Sequence, residues 1–202
     1  MVTAVLEAMR ALLSPQGLAA ATALIFLAGL SEGAGTRGVV LLVNRITPAA
    51  FLLSLLASAL LFLLSAALWV WGLWLAATGL FGVAVPLALF FIGVSAAYGP
   101  LLLGALALLP LVGPLIRQLL RLWSFAIALG ALASLGLTLW QATLCALLGA
   151  LLVAGAGWLL GEPAATLGGR LWATLTGRPR PLRRDELPRV VPGYGPAEET
   201  RQ

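Results

Sequence analysis

From Ile46 to Ile116 the chain carries no charged residue, and from Leu122 to Gly161 it again carries none. No soluble fold accommodates runs of this length. Soluble domains hold roughly 25% charged residues, whereas this chain has 9% charged and 61% hydrophobic residues. A soluble domain of 202 residues has too little interior for that much apolar surface. Lipid must therefore be the solvent for most of it. A spanning helix needs roughly 20 apolar residues, so the two runs hold several crossings.

Turn residues divide the runs. Span one is expected over Gly17–Gly33, and span two from Ala50, after Pro48, to Leu80. "GLFG" at Gly79–Gly82, with Pro86, supplies the next turn. Span three is expected over Val85–Leu109, closed by Pro110, Gly113 and Pro114. Spans four and five are expected over Leu119–Leu137 and Ala142–Leu160. Cutting the first run at Gly99-Pro100 as well would leave pieces too short to cross. The fold class is thus an all-α bundle of five transmembrane helices over residues 17–160. A mixed apolar and charged segment, 1–16, precedes it and suits either an interfacial helix or a weakly ordered terminus. That segment does not read as a cleaved signal peptide: it has no clear positive bias and no small-residue cleavage site.

Charge placement orients the bundle. Five crossings put Arg10 alone on one side and the other eleven arginines on the other: Arg37, Arg45, Arg117, Arg121, Arg170, Arg178, Arg180, Arg183, Arg184, Arg189 and Arg201. The positive-inside rule then places the C-terminus in the cytoplasm and the N-terminus outside. In this reading Ser31–Pro48 and Pro110–Arg121 are cytoplasmic loops. Trp69, Trp71, Trp74, Trp123, Trp140 and Trp158 all fall near expected interfaces, where an amphipathic ring is most stable.

Residues 161–202 hold most of the charge. "PAATLGGRLWATLTGR" sets Trp172 among leucines on one helical face, flanked by Arg170 and Arg178, as in a helix lying on the inner leaflet. Anionic headgroups would favour these arginines, and Arg183 and Arg184 beyond them, by roughly 1 kcal/mol each. The Pro- and Arg-rich stretch that follows is expected to be extended.

Few groups can carry chemistry. There is no His, which removes the commonest general base and metal ligand. No nucleophile–base pair and no metal-ligand or phosphate-loop motif is visible. No cofactor and no nucleic-acid partner is expected. Glu32 is the only acid between Glu7 and Glu162. It can pair with Arg37, reach water, meet a partner or serve a proton or substrate path. Gly29 and Gly33 form a small-residue pair suited to close helix approach. Tyr98-Gly99-Pro100 breaks span three, because Pro removes a backbone hydrogen bond and bends the helix. The break is either a packing kink or a gate.

"LSEGAGTRGVVLLVNRITPAAF", "AAYGPLLLGALALLP" and "RLWSFAIALG…LWQATLCALLG" carry a resemblance. The landmarks are Ser31-Glu32, Asn44-Arg45, Tyr98-Gly99-Pro100, Leu122-Trp123-Ser124 and Trp140-Gln141-Ala142. With them the chain resembles the Yip1-domain family of polytopic membrane proteins, in its cyanobacterial form. The resemblance implies five spans, no catalysis, and a role in membrane organisation or as an accessory subunit in a bacterial inner or thylakoid membrane. Partners would be anionic lipid, other membrane subunits or further copies of the chain. The long cytosolic N-terminal region of eukaryotic members is not found here, so their link to Rab-type GTPases does not carry over. The alternative is a small transporter or channel built on Glu32 and the Tyr98–Pro100 break.

Overall fold

The computed structural model describes residues 14–43, 48–109 and 112–176, with side chains for 14–36, 48–109 and 112–159. Helix α1 spans Pro15–Val43, α2 Pro48–Phe81 and α3 Leu87–Ser95. A 3-10 helix, Ala96–Leu108, continues α3; α4 spans Gly113–Ser134 and α5 Leu139–Thr176. No strand occurs among the described residues. Five stretches are long and apolar enough to cross a bilayer: Pro15–Thr36, Pro48–Phe81, Leu87–Leu108, Gly113–Ser134 and Leu139–Leu159. Five such helices mark an integral membrane protein. They belong to one compact unit, Met1–Leu159; residues from Leu160 onward form a second.

The ends of the helices follow local chemistry. Ser14 accepts from the Gly17 N–H at 3.2 Å and so caps α1, with Pro15 at the first helical position. Helix α2 ends at Gly82, whose φ of 66° is the left-handed cap conformation; its N–H returns to the Thr78 carbonyl at 3.2 Å. Gly136, at φ 93°, ends α4. There the Leu137 N–H reaches the Leu132 carbonyl and the Gly136 N–H reaches Ala133, the paired bonds of a Schellman cap. "TLWQ" opens α5 as half a capping box, the Gln141 side chain accepting from the Thr138 N–H at 2.9 Å.

Three boundaries differ from the sequence reading. Ser31–Pro48 is not a loop as far as it is described: α1 stays helical through "SEGAGTRG" to Val43. Without water, every unpaired backbone group is costly, so the helix persists across its glycines. Residues 44–47 lie outside the described residues. The Pro110–Arg121 loop is also shorter than expected, because α4 begins at Gly113 with Pro114 in its first turn; Arg117 and Arg121 therefore sit inside the fourth span. Span five starts three residues earlier than expected, at its capping box. Of the expected segments 1–16 and 161–202, residues 1–13 and 177–202 lie outside the described residues, as do the side chains of 160–176, including Arg170 and Trp172; the separate inner-leaflet helix expected over 163–178 is, as far as Thr176, a continuation of α5 instead.

Packing runs through small residues. A Cβ on Gly29 would meet Phe62 at 2.9 Å, and one on Gly33 would meet Ser58 at 3.4 Å. The Gly29/Gly33 pair is thus used within the chain, between α1 and α2. Gly72 and Gly149 bring α2 and α5 together, a Cβ on Gly72 lying 3.0 Å from the Gly149 Cα. The tryptophans that the sequence grouped as interface anchors separate into two kinds. The Trp69 and Trp74 N–H groups are spent inside the protein, on the Ala146 carbonyl at 3.4 Å and the Val85 carbonyl at 2.8 Å. Trp71, Trp123, Trp140 and Trp158 have exposed rings.

A polar junction between the first helix and a 3-10 segment

Pro100 cannot donate to an α-helical ladder, and its ring crowds the preceding turn. The chain answers with 13 residues of 3-10 helix, against the three or four usual for that conformation. The sequence reading expected a kink here; the structure instead changes the helical period. At three residues per turn, residues three apart eclipse one another. Tyr98, Leu101 and Gly104 accordingly form one buried ridge, while Leu103 and Leu106 form an exposed one.

The buried ridge lies against α1 at "SEGAG". The Ser31 hydroxyl donates to the Leu102 carbonyl at 2.6 Å and accepts from the Ala105 N–H at 2.9 Å. Those two backbone groups are three residues apart, the spacing at which a 3-10 helix bonds to itself. One hydroxyl from another helix therefore bridges a rung of the ladder. Around it the backbones almost touch. A Cβ on Gly35 would collide with the Gly104 carbonyl, and one on Gly104 would lie 3.0 Å from the Glu32 backbone. Only glycine fits at Gly35, and a side chain at Gly104 would force the α1 backbone to give by a few tenths of an ångström. Ser31→Ala should leave the Ala105 amide without its partner. The expected cost is about 1–2 kcal/mol, together with faster hydrogen exchange at Ala105 than at helical amides elsewhere in span three.

Glu32 follows Ser31 on α1 and turns to α4. Its Oε1 accepts from Arg121 Nη2 at 2.6 Å. Arg121 is its partner among the described side chains; the Arg37 side chain, which the sequence offered, lies outside them. The carboxylate is 13% exposed and the guanidinium 63%. Arg117, one turn earlier on α4, has a buried Nε with no hydrogen-bond partner, and so has the Ser124 hydroxyl one turn later.

Tyr98 is buried and makes edge-to-face contacts with Phe62, centroids 5.7 Å apart, and Trp69, 6.2 Å apart. These three rings and Arg121 line an open cleft of about 510 Å³, completed by Ser65, Ala66, Ala150, Val153 and Ala154. The cleft is apolar apart from the Arg121, Ser65 and Tyr98 heads. Pro100 is buried, whereas a Cβ on Gly99 would meet nothing within 4 Å. Arg45, Arg178, Arg183 and Arg184 lie outside the described residues, and of Arg37 only the helical backbone is described. Among the described residues no three His, Cys, Asp or Glu side chains come together in a way that could hold a metal.

Sequence reasoning singled out Glu32 and Tyr98 but gave no role to Ser31, Gly104 or the cleft. One signal pointed at Arg121: it and Arg117 are the only charges between Ile46 and Gly161. A charge that rare inside apolar sequence needs a partner, and Glu32 is the one acid at hand. No protein-family model, curated protein or solved structure matches this chain.

Proposed function

We propose that the protein is a non-enzymatic membrane protein of Yip1 type, acting as a scaffold, a membrane-organising factor or an accessory subunit of a larger complex. The observation that carries this reading is how the polar residues of the signature stretch are used. Ser31 holds a backbone rung, Glu32 holds Arg121, and Gly35 and Gly104 close the helix contact. All four serve to fix one arrangement of helices. The outer faces remain apolar and unpartnered, as in the row Leu53, Leu56, Leu60 and Leu64 of α2; such faces suit lipid or neighbouring subunits. Isolation from native membranes in mild detergent, with mass spectrometry of what accompanies the chain, tests the proposal. A stable companion or a defined oligomer is expected. Recovery as a bare monomer from every mild detergent would count against it.

We further propose that the N-terminus faces outward and the arginine-rich C-terminus the cytoplasm, in a bacterial inner or thylakoid membrane. In that orientation Arg170, Trp172, Arg178, Arg183 and Arg184 meet anionic headgroups. A reporter fused after Gln202 should be active only in its cytoplasmic form. A second reading, a small transporter or channel, is favoured by one observation: the cleft brings Tyr98 and Arg121 together beside the 3-10 break. Substrate flux in proteoliposomes that persists unchanged in Glu32→Ala and Tyr98→Phe would remove it.

A further inference from the structure

Among the described side chains there are three charges: Glu32, Arg117 and Arg121. One acid is set against two bases, so the spans carry one positive charge in excess. Arg121 lies two turns into α4, a helix long and apolar enough to cross a bilayer. A net positive charge among apolar spans is expensive. Glu32 takes one hydrogen bond from Arg121 at Nη2. A guanidinium has five donors, and this one is 63% exposed, at the edge of the cleft it helps to line. The buried, unpartnered Arg117 Nε and Ser124 hydroxyl stand one turn to either side of it on α4.

What would complete this arrangement is an anion attached to a hydrocarbon chain. The anion takes the donors of the exposed Arg121 guanidinium that Glu32 leaves free, and it offsets the net positive charge of the Glu32, Arg117 and Arg121 set. The chain covers the apolar Phe62, Trp69, Val153 and Ala154 walls of the open cleft. We propose that the cleft is a binding site for one anionic phospholipid, its phosphate on Arg121 and an acyl chain lying between α2 and α5. This goes beyond the scaffold reading and does not depend on it. It is also distinct from attraction of the arginine-rich tail to a membrane surface, which needs no cleft.

The test is native mass spectrometry of the full chain in detergent, titrated with phosphatidylglycerol or with phosphatidylcholine of identical acyl chains. The wild type is expected to retain one phosphatidylglycerol about fivefold more tightly than phosphatidylcholine, as one arginine's attraction to an anionic headgroup implies. Two variants separate head from chain. Arg121→Gln should bring the two lipids to equal affinity. Ala154→Trp, which fills the cleft and leaves the Glu32–Arg121 pair in place, should weaken both lipids at least fivefold. Equal retention of the two lipids by the wild type overturns the proposal. So does a preference that survives undiminished in both variants, because charges elsewhere then carry it. A lipid-insensitive dimer whose cleft is filled by a second copy also overturns it. If Arg121→Gln does not fold, Ala154→Trp alone decides.

Discussion

Gly35→Leu should destabilise the bundle by about 3 kcal/mol or more, the upper end of what overpacking costs. A Cβ at Gly35 points at the Gly104 carbonyl, which is backbone and cannot swing aside as a side chain would. Relief requires α1 to move off the 3-10 segment. That movement withdraws the Ser31 hydroxyl from Leu102 and Ala105 as well, so the steric cost and the lost hydrogen bonds fall together. Gly104→Leu should behave alike, because its Cβ faces the Glu32 backbone. Gly130 provides the control. A Cβ there meets nothing within 4 Å, and Gly130→Ala should change stability by at most about 1 kcal/mol, in the stabilising direction. Denaturant titration in detergent micelles, followed by tryptophan fluorescence, checks all three. Equal stability of Gly35→Leu and wild type would mean that α1 and the 3-10 segment do not meet at these residues.

The second large effect belongs to the Glu32–Arg121 pair. Exposed ion pairs in water contribute about 0–1 kcal/mol, whereas breaking a buried one costs about 3–5 kcal/mol. This pair has one largely buried and one exposed member, and its exposed member lies on a helix apolar enough to cross a bilayer. The expected loss for Glu32→Ala is therefore intermediate, about 2 kcal/mol. Removing both partners in Glu32→Ala/Arg121→Ala should restore a large part of it, since the uncompensated cation goes too. A double-mutant cycle should give a coupling of about 2 kcal/mol, above the ~0.5 kcal/mol within which independent sites add. A coupling inside that margin would show the two groups apart in the membrane. Glu32→Gln should fall between wild type and Glu32→Ala, because the amide still accepts a hydrogen bond and carries no charge.

Ser31 shows why local reading missed the junction that both experiments address. Its neighbours Gly33, Gly35, Arg37 and Gly38 are those of a loop, and in water that reading is sound. In lipid the cost of freed backbone groups reverses it. The glycines then acquire a different purpose, as places where another backbone can come near. Nothing in α1 alone says that the other backbone is the one around Gly104, distant in sequence and in a conformation set by Pro100. Pro100 was legible as a break, but not as a change of period. The eclipsed ridge of Tyr98, Leu101 and Gly104 exists only at three residues per turn.

Composition and the lengths of the apolar runs determined by themselves that this chain is a membrane protein of five helical spans, because a hydrocarbon solvent admits hardly any other structure for such runs. The turn at Gly82 was likewise legible from local chemistry, whereas the Gly136 cap and the start of α5 after Thr138 were not read from the sequence. Which residues meet across helices was decided only by the tertiary structure. Glu32 had several arginines it could have paired with, and it is the packing of α1 against the 3-10 segment, closed by Gly35 and Gly104, that carries its carboxylate to Arg121.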